Sequence, residues 1–309
     1  MPLTNYGEQQ VLQQIFGTPS TLVLPASAGN WYLGLLSAKW VWASGTTGVA
    51  QGDLVIPPNF STYNNIYKVT SAGASQTMGS TTPSWQTNAA AATSTVTDGT
   101  ITYTPVAWQA ASTASTTSYY IGTNVLGGEV TPGTSYARAT LTNTTGITSS
   151  TSTFFTPSLP TGTGTPYYAS TYYNNTVSFT QSSGSWGNVC GFFLDTTGAI
   201  SPSGSGSITT TPASIATTLS PLTLGYTSAA GTAIINVAGT ATQISYTGVT
   251  SSGFTNASVA SGSVSYTATS IIGGNAIAWN TLTNYVPVTV SGITVQITSG
   301  STGLQIQLT

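Results

Sequence analysis

The stretch STVTDGTITYT at residues 94–104 decides the fold class of this 309-residue chain. On both sides of Asp98-Gly99, β-branched and aromatic residues alternate with Thr. Such residues suit a pleated, half-buried surface, and Asp-Gly between two alternating runs is a strong hairpin signal. We therefore predict a β-hairpin with a type I′ turn at Asp98-Gly99.

The same pattern recurs along the rest of the chain. Further runs rich in apolar and β-branched residues are WYLGLL at 31–36, TVSFTQ at 176–181, CGFFLD at 190–195, ITVQI at 293–297 and LQIQL at 304–308. Gly, Asn, Pro and Ser separate these runs, as is typical of strands joined by turns. The prediction is an all-β fold with a sandwich or jelly-roll-like core.

One segment, at about residues 6–16, has a helical pattern instead. Asn5 is placed to cap it, Glu8 follows three residues later, and Gly17 is a suitable C-terminal stop. A single apolar stripe on this short N-terminal helix predicts that it docks on another surface during assembly. The stripe consists of Val11, Leu12, Ile15 and Phe16.

Charge is scarce enough to exclude several kinds of function. The chain has three Lys or Arg, five Asp or Glu and no His, so that 3% of its residues are charged, against about 25% in ordinary soluble domains. Without His there is no imidazole base and no His-ligated metal. Three cations are too few to drive binding to nucleic acid or attraction to anionic lipid. We expect no cofactor, no metal, no nucleic-acid partner and no membrane insertion.

Enzymatic activity is not expected either. Asp53 and Asp98 fall in one segment, and two neighbouring carboxylates are what a glycoside hydrolase needs. Each has a simpler role beside a turn glycine, so we predict no catalytic residue. Cys190, the single cysteine, is predicted to be a small buried hydrophobe. MPLTNYGEQQ lacks the features of a secretory signal, and we expect synthesis in a host cytoplasm.

Glu129 and Arg138 are the strongest candidates for a specific interaction. They lie nine residues apart around a predicted turn at Pro132-Gly133, so a hairpin would let them face each other. We predict a structural ion pair that fixes the register of the surrounding strands.

Several aromatic residues have two open interpretations. They either stack on a glycan or pack within a core or subunit interface, and packing is favoured. These residues are Trp40, Trp42, Tyr67, Trp85 and Tyr103.

Differences in amino-acid composition and residue pattern divide the chain into three parts. Residues 1–44, 109–200 and 271–309 are predicted to form one core β domain that carries the helix. Residues 45–108 form an inserted small β module, and residues 201–270 form a β insertion rich in Ser, Thr and Gly.

Four segments, taken in order, resemble a family of minor structural or tail-fibre-like virion proteins of tailed bacteriophages. They are LTNYGEQQVLQQIFG with WYLGLLS, then GGEVTPGTSYARATL at 127–141, then VSFTQSSGSWGNVCGFFLDTTG at 177–198, and finally the strands of 277–309. The family signatures are a Glu-Val pair followed by Tyr-Ala-Arg, and a Trp-Gly pair before a strand. Thr131-Pro132 departs from the small residues of the family pattern.

The inserted module has a resemblance of its own, to a compact β module of phage capsid and tail proteins that is presumed to bind carbohydrate. The matching positions are Asp53, Tyr67, Gly73, Ser75, Pro83, Trp85, Asp98, Gly99 and Tyr103. Glycan binding is an implication of this resemblance alone.

The resemblance implies a structural protein of a tailed-phage virion: a surface-exposed tail fibre or tail-associated subunit that contributes to assembly and contacts the host. The expected partners are other copies of the chain, with a trimer favoured, other virion proteins and a host-surface glycan. A capsid decoration protein on the phage head is an alternative. A cell-surface adhesin or an S-layer-like protein is a further one.

Overall fold

The computed structural model describes residues 30–71, 73, 75–86, 95–105, 128–130, 136–142, 155–158, 169–173, 176–181, 183–237, 240–274, 276–298 and 305–308. The predicted helix with Val11, Leu12, Ile15 and Phe16 lies outside these residues. In the described part, no helix has the length and apolar character needed to cross a membrane.

The described chain is all-β, as predicted. Its strands are β1 (Asn30–Ala38), β2 (Trp40–Val41), β3 (Leu54–Ile56), β4 (Tyr67–Val69), β5 (Val96–Asp98), β6 (Ile101–Pro105), β7 (Ala139–Thr142), β8 (Phe155–Ser158), β9 (Ala169–Tyr173), β10 (Val177–Thr180) and β11 (Gly187–Asp195). They continue with β12 (Gly206–Thr209), β13 (Ala213–Ala216), β14 (Gly231–Val237), β15 (Thr240–Tyr246), β16 (Gly248–Thr250), β17 (Gly253–Ala257), β18 (Ser263–Tyr266), β19 (Ile271–Gly273), β20 (Ala278–Val288), β21 (Thr294–Ile297) and β22 (Gln305–Leu308). Two short helices are described, α1 (Phe60–Tyr63) and a 3-10 helix at Pro221–Leu224.

The hairpin around Asp98-Gly99 is confirmed over residues 96–105, but its turn type is not the predicted one. Asp98 pairs with Ile101, so the two loop residues are Gly99 and Thr100. Of these two, only Gly99 has a positive φ, of 60°. A β-branched Thr resists that region, and glycine at the first loop position is the mark of a type II′ turn.

A four-stranded antiparallel sheet, β20-β11-β1-β7, forms the centre of the described structure. Successive side chains of β1 and β11 point to opposite faces, and both faces are covered. Leu33, Leu35, Phe192 and Leu194 contribute to one hydrophobic cluster, whose opposite wall is the β10-β21 pair. Leu36, Cys190 and Phe193 contribute to a second cluster on the other face. The sequences of β1 and β11 are therefore nearly continuous apolar runs, because each strand packs against a hydrophobic cluster on both of its faces.

Residues 40–105 contribute a five-stranded sheet, β2-β3-β4-β6-β5. The inner face of this sheet has its own apolar cluster, and Val55 of β3 lies in it. Leu54 and Ile56, on either side of Val55, pack instead with Leu36 and Phe193 of the central sheet. Because successive side chains of β3 point to opposite faces, this strand packs into both clusters and joins the module to the centre of the molecule.

Residues 206–273 form the strands β12 to β19 around a third cluster that includes Ile215, Ile235, Ile244 and Phe254. Ile234, next to Ile235, lies in the cluster below the central sheet. The central sheet therefore packs against both insertions. The division into three domains, and a jelly-roll topology, stay predictions.

Cys190 lies on β11 and is a buried free thiol. Its Sγ lies 3.7 Å from the carbonyl oxygen of Leu36. Burial raises the pKa of this thiol far above its usual value. A neutral, enclosed thiol is a packing group.

Candidate functional site: a buried ionic network and an open cleft

The structure brings Glu129 and Arg138 together in a two-pronged ion pair. Arg138 Nε lies 2.7 Å from Glu129 Oε1, and Arg138 Nη2 lies 2.8 Å from Glu129 Oε2. This is the bidentate geometry that a planar guanidinium forms with a carboxylate. Both side chains are 1% exposed, so the pair lies fully inside the protein.

Asp195 is a third member, which sequence reasoning missed. Arg138 Nη1 donates to Asp195 Oδ2 at 2.6 Å and to the carbonyl oxygen of Thr197 at 2.7 Å. Asp195 ends the apolar run of β11, and its side chain has no exposed surface. The sequence signal that could have identified Asp195 is a carboxylate at the end of an apolar run in a chain with so few charges. We call Glu129, Arg138 and Asp195 the ionic network.

Neighbouring groups hold the ionic network in place. The Tyr136 hydroxyl donates to Glu129 Oε1 at 3.2 Å and accepts from the backbone N–H of Leu35 at 2.9 Å. The backbone N–H of Thr197 donates to Asp195 Oδ1 at 3.0 Å. The Arg138 guanidinium lies 4.9 Å from the ring centroid of Phe193, within cation–π range.

The predicted turn at Pro132-Gly133 lies outside the described residues, and the segments on either side of it both pair with β1. Residues 128–130 bond to the end of β1, with Ser37 N–H donating to Gly128 and Val130 N–H donating to Leu35. β7 pairs with the beginning of β1, over 30–33. Both segments therefore lie along the same edge of β1, because this nine-residue strand offers backbone partners to each in turn.

Glycines allow a third part of the chain to approach the ionic network closely. The Cβ of an alanine at 274 would lie 2.5 Å from Asp195 Oδ1, and one at 273 would clash with the Arg138 guanidinium. Gly273 ends β19, which belongs to the sheet of the 201–270 insertion. The ionic network therefore lies where the central sheet meets that insertion.

Electrostatics make the ionic network a structural device. Burial raises the pKa of Asp195, although the Arg138 guanidinium and the Thr197 N–H act in the opposite direction. Burial acts to lower the pKa of Arg138, but the carboxylates of Glu129 and Asp195 outweigh it and hold that pKa well above its usual value. The positive charge is fixed between two anions, and each of the three side chains is at most 1% exposed.

Four of the five candidate aromatic residues lie in the core of the module. The exposed fraction is 6% or less for Trp42, Tyr67, Trp85 and Tyr103. Trp85 is central, with its ring centroid 4.9 Å from that of Tyr67 and 5.3 Å from that of Tyr103. These rings cannot stack on a glycan from solvent, so the possibility of a sugar platform there is corrected in favour of core packing.

Asp98 joins this aromatic core to the hairpin. Its Oδ2 atom accepts from Trp42 Nε1 at 2.8 Å, from the backbone N–H of Gly79 at 2.9 Å and from the Tyr103 hydroxyl at 3.3 Å. The residue is 5% exposed. Asp98 therefore has a structural role that extends well beyond the turn.

Replacing Asp98 with Ala is expected to lower the free energy of unfolding by about 3 kcal/mol, because three donors lose a buried acceptor. Asp98→Asn is the matched control, since its amide oxygen can still accept and its shape is the same. Urea denaturation of both variants measures the difference. Equal losses of stability in the two would contradict the role of Oδ2 as the shared acceptor.

Trp40 and Asp53 lie at the surface of the module. Trp40 Nε1 donates to Asp53 Oδ2 at 2.8 Å, and Lys39 Nζ lies 2.9 Å from the same atom and 5.1 Å from the Trp40 ring centroid. Lys39 and Asp53 also line an open cleft of about 680 Å³ between the central sheet, the module and the 201–270 insertion.

Comparison of the chain with protein-family models, with curated proteins and with solved structures found no match.

Proposed function

We propose that this chain is a structural protein of a tailed-phage virion, located at its surface as a tail fibre or tail-associated subunit. Its work is assembly and contact with the host. The observation that carries the proposal is the position of the residues through which the sequence resembles the phage family.

Those residues meet in the ionic network. Glu129, Tyr136 and Arg138 come from GGEVTPGTSYARATL, and Asp195 with Thr197 comes from FFLDTTG. Segments far apart in the chain thus supply one buried set of interactions. This gives the family signature a physical reason, which a chance likeness of short segments would lack, and so supports the resemblance.

The distribution of charge also supports a structural role. Seven of the eight charged residues are described, and Asp98, Glu129, Arg138 and Asp195 are buried in interactions that hold the fold. Lys39 is the one charged residue of the described part that is exposed, since Asp53 and Lys68 are partly buried. A surface wetted by hydroxyls, with little charge to repel a neighbouring copy, suits a subunit that lies within an assembled particle.

Antibody labelling of intact particles tests the proposal and its location. Tailed particles from a host that produces this chain are incubated with an antibody raised against the purified chain and viewed in negative stain. Label on the tail is the expected result. Label confined to the head favours a capsid decoration protein and overturns the tail assignment. Label on the host envelope overturns the virion assignment and favours an adhesin.

A further inference from the structure

The cleft between the three parts of the molecule carries a ligand proposal. One side is the end of β1 with Lys39, another is the module at 52–54, and a third is the turn at residues 267–271 after β18. Its volume of about 680 Å³ falls within the range of small-molecule sites. Its residues come from parts of the chain that lie far apart, so only the folded protein forms it.

The polar centre of the cleft is the Lys39–Asp53 pair. Lys39 Nζ contacts both carboxylate oxygens, at 3.0 and 2.9 Å, and its side chain is 54% exposed. Asp53 Oδ2 also accepts from Trp40 Nε1 and from the backbone N–H of Ala50. Within the described ranges, Oδ1 accepts from Lys39 alone. The pair thus has a donor and an acceptor side by side with no net charge.

Hydroxyl groups from the insertion form another part of the lining. Thr267 Oγ1 and Thr269 Oγ1 lie 2.8 Å apart, and both residues are exposed. The buried Ser270 hydroxyl accepts from the backbone N–H of Thr267 at 3.0 Å, which fixes the turn. Hydroxyls both donate and accept, so this part of the lining can match a ligand that does the same.

Apolar groups complete the lining. Leu54, Trp186, Val237 and Ile271 all contribute to it. A ligand that fits must therefore combine hydroxyl groups with C–H surfaces. An anion such as a phosphate finds no uncompensated cation, because Asp53 neutralises Lys39.

The geometry points to a binding site for a neutral saccharide in this cleft, with two adjacent sugar hydroxyls bridging Lys39 and Asp53 and further hydroxyls meeting Thr267 and Thr269. This inference rests on the proposed function in one respect, because it names the class of ligand through which the chain contacts the host. It is separate from the aromatic residues of the module, which are buried.

The test uses the isolated full-length chain and saturation-transfer NMR. The probes are the neutral disaccharides maltose, lactose and N,N′-diacetylchitobiose at millimolar concentrations, with sialyllactose as an anionic comparison. At least one neutral probe is expected to receive saturation from the protein. Titration of that probe gives its dissociation constant.

Variants then locate the bound sugar. Loss of a hydrogen bond to a charged group costs roughly tenfold in affinity, which is the effect expected for Lys39→Met. Thr269→Val is expected to weaken binding by about fivefold through loss of a neutral hydrogen bond. Thr97→Val, on the exposed face of β5 and outside the cleft, is the matched control and leaves affinity unchanged.

Three results would overturn the site: no saturation of any neutral probe, equal binding by wild type and both cleft variants, or a preference for sialyllactose over lactose. The assay contains no phage particle, so its failure is distinct from failure of the virion assignment. A chain found in virions that binds none of the probes would keep the proposed function and lose the saccharide site.

Discussion

Arg138→Met is expected to lower the free energy of unfolding by about 3–5 kcal/mol, the usual cost of removing one partner from a buried ion pair. The reason is specific to this chain. Among the described ion pairs, Arg138 is the cation that contacts Glu129 and Asp195, and their side chains are 1% and 0% exposed. Without it, two carboxylates stay buried next to each other with no compensating charge.

Two control variants separate charge from packing in this experiment. Arg138→Lys keeps the positive charge but cannot reach both carboxylates in the planar geometry, so an intermediate loss is expected. The triple variant Arg138→Met, Glu129→Gln, Asp195→Asn removes all three charges and is expected to recover part of the lost stability. Thermal denaturation and the yield of folded protein measure both effects. An unchanged melting temperature for Arg138→Met would contradict the structural role of the ionic network.

The second large effect is a steep loss of stability in alkali. Burial raises the pKa of five tyrosines above the usual value of 10.0, namely Tyr67, Tyr103, Tyr136, Tyr226 and Tyr246. Their contribution to the free energy of unfolding is fully present below the unfolded-state pKa, near pH 10, and is lost as pH rises towards the folded-state pKa. Between these two pKa values, each tyrosine that is protonated only in the folded state lowers the free energy of unfolding by about 1.4 kcal/mol per pH unit.

Urea denaturation at a series of pH values up to 11 tests this expectation. We expect a plateau up to about pH 8, a shallow decline above it as the Cys190 thiol ionises in the unfolded state alone, and cooperative unfolding above about pH 10. Tyr226→Phe is the informative variant. Its hydroxyl, with one proton to donate, lies 3.1 Å from the carbonyl oxygen of Gly198 and 3.2 Å from that of Ile272. The variant therefore starts less stable but declines less steeply with pH. A gradual decline from pH 7, or an unchanged slope in Tyr226→Phe, would be the opposite result.

Acid is expected to have much less effect through the ionic network. Because burial raises the pKa of Asp195, the folded state binds a proton at this group more readily than the unfolded state does. The contribution of Asp195 to stability therefore grows as pH falls through its folded-state pKa, the reverse of a carboxylate with a lowered pKa. Together with the small number of surface charges, this supports a stability that changes little between mildly acidic and neutral pH.

Local features of the sequence predicted local features of the structure. The alternating residues around Asp98-Gly99 gave the hairpin, and WYLGLL and CGFFLD gave the two long strands β1 and β11. The turn type was missed because it depends on which two residues occupy the loop. A one-residue change in register moves glycine to the first loop position and favours type II′ over type I′.

Long-range partners could not be predicted in the same way. Glu129 and Arg138 lie nine residues apart, which made their pairing visible, but Asp195 lies 57 residues beyond Arg138. The pairing of β1 with residues 128–130, with β7 and with β11 brings these residues together. The cleft is also non-local, since Lys39, Asp53 and Thr269 share no sequence motif and meet only when three parts of the chain have folded.

The most direct test of the central claim, that this chain is a virion structural protein, is quantitative mass spectrometry of tailed particles purified by density gradient and washed in high salt. We expect the chain at a constant copy number per particle that survives repeated purification. Its absence from particles that retain their other structural proteins, with recovery only in the cell fraction, would contradict the account.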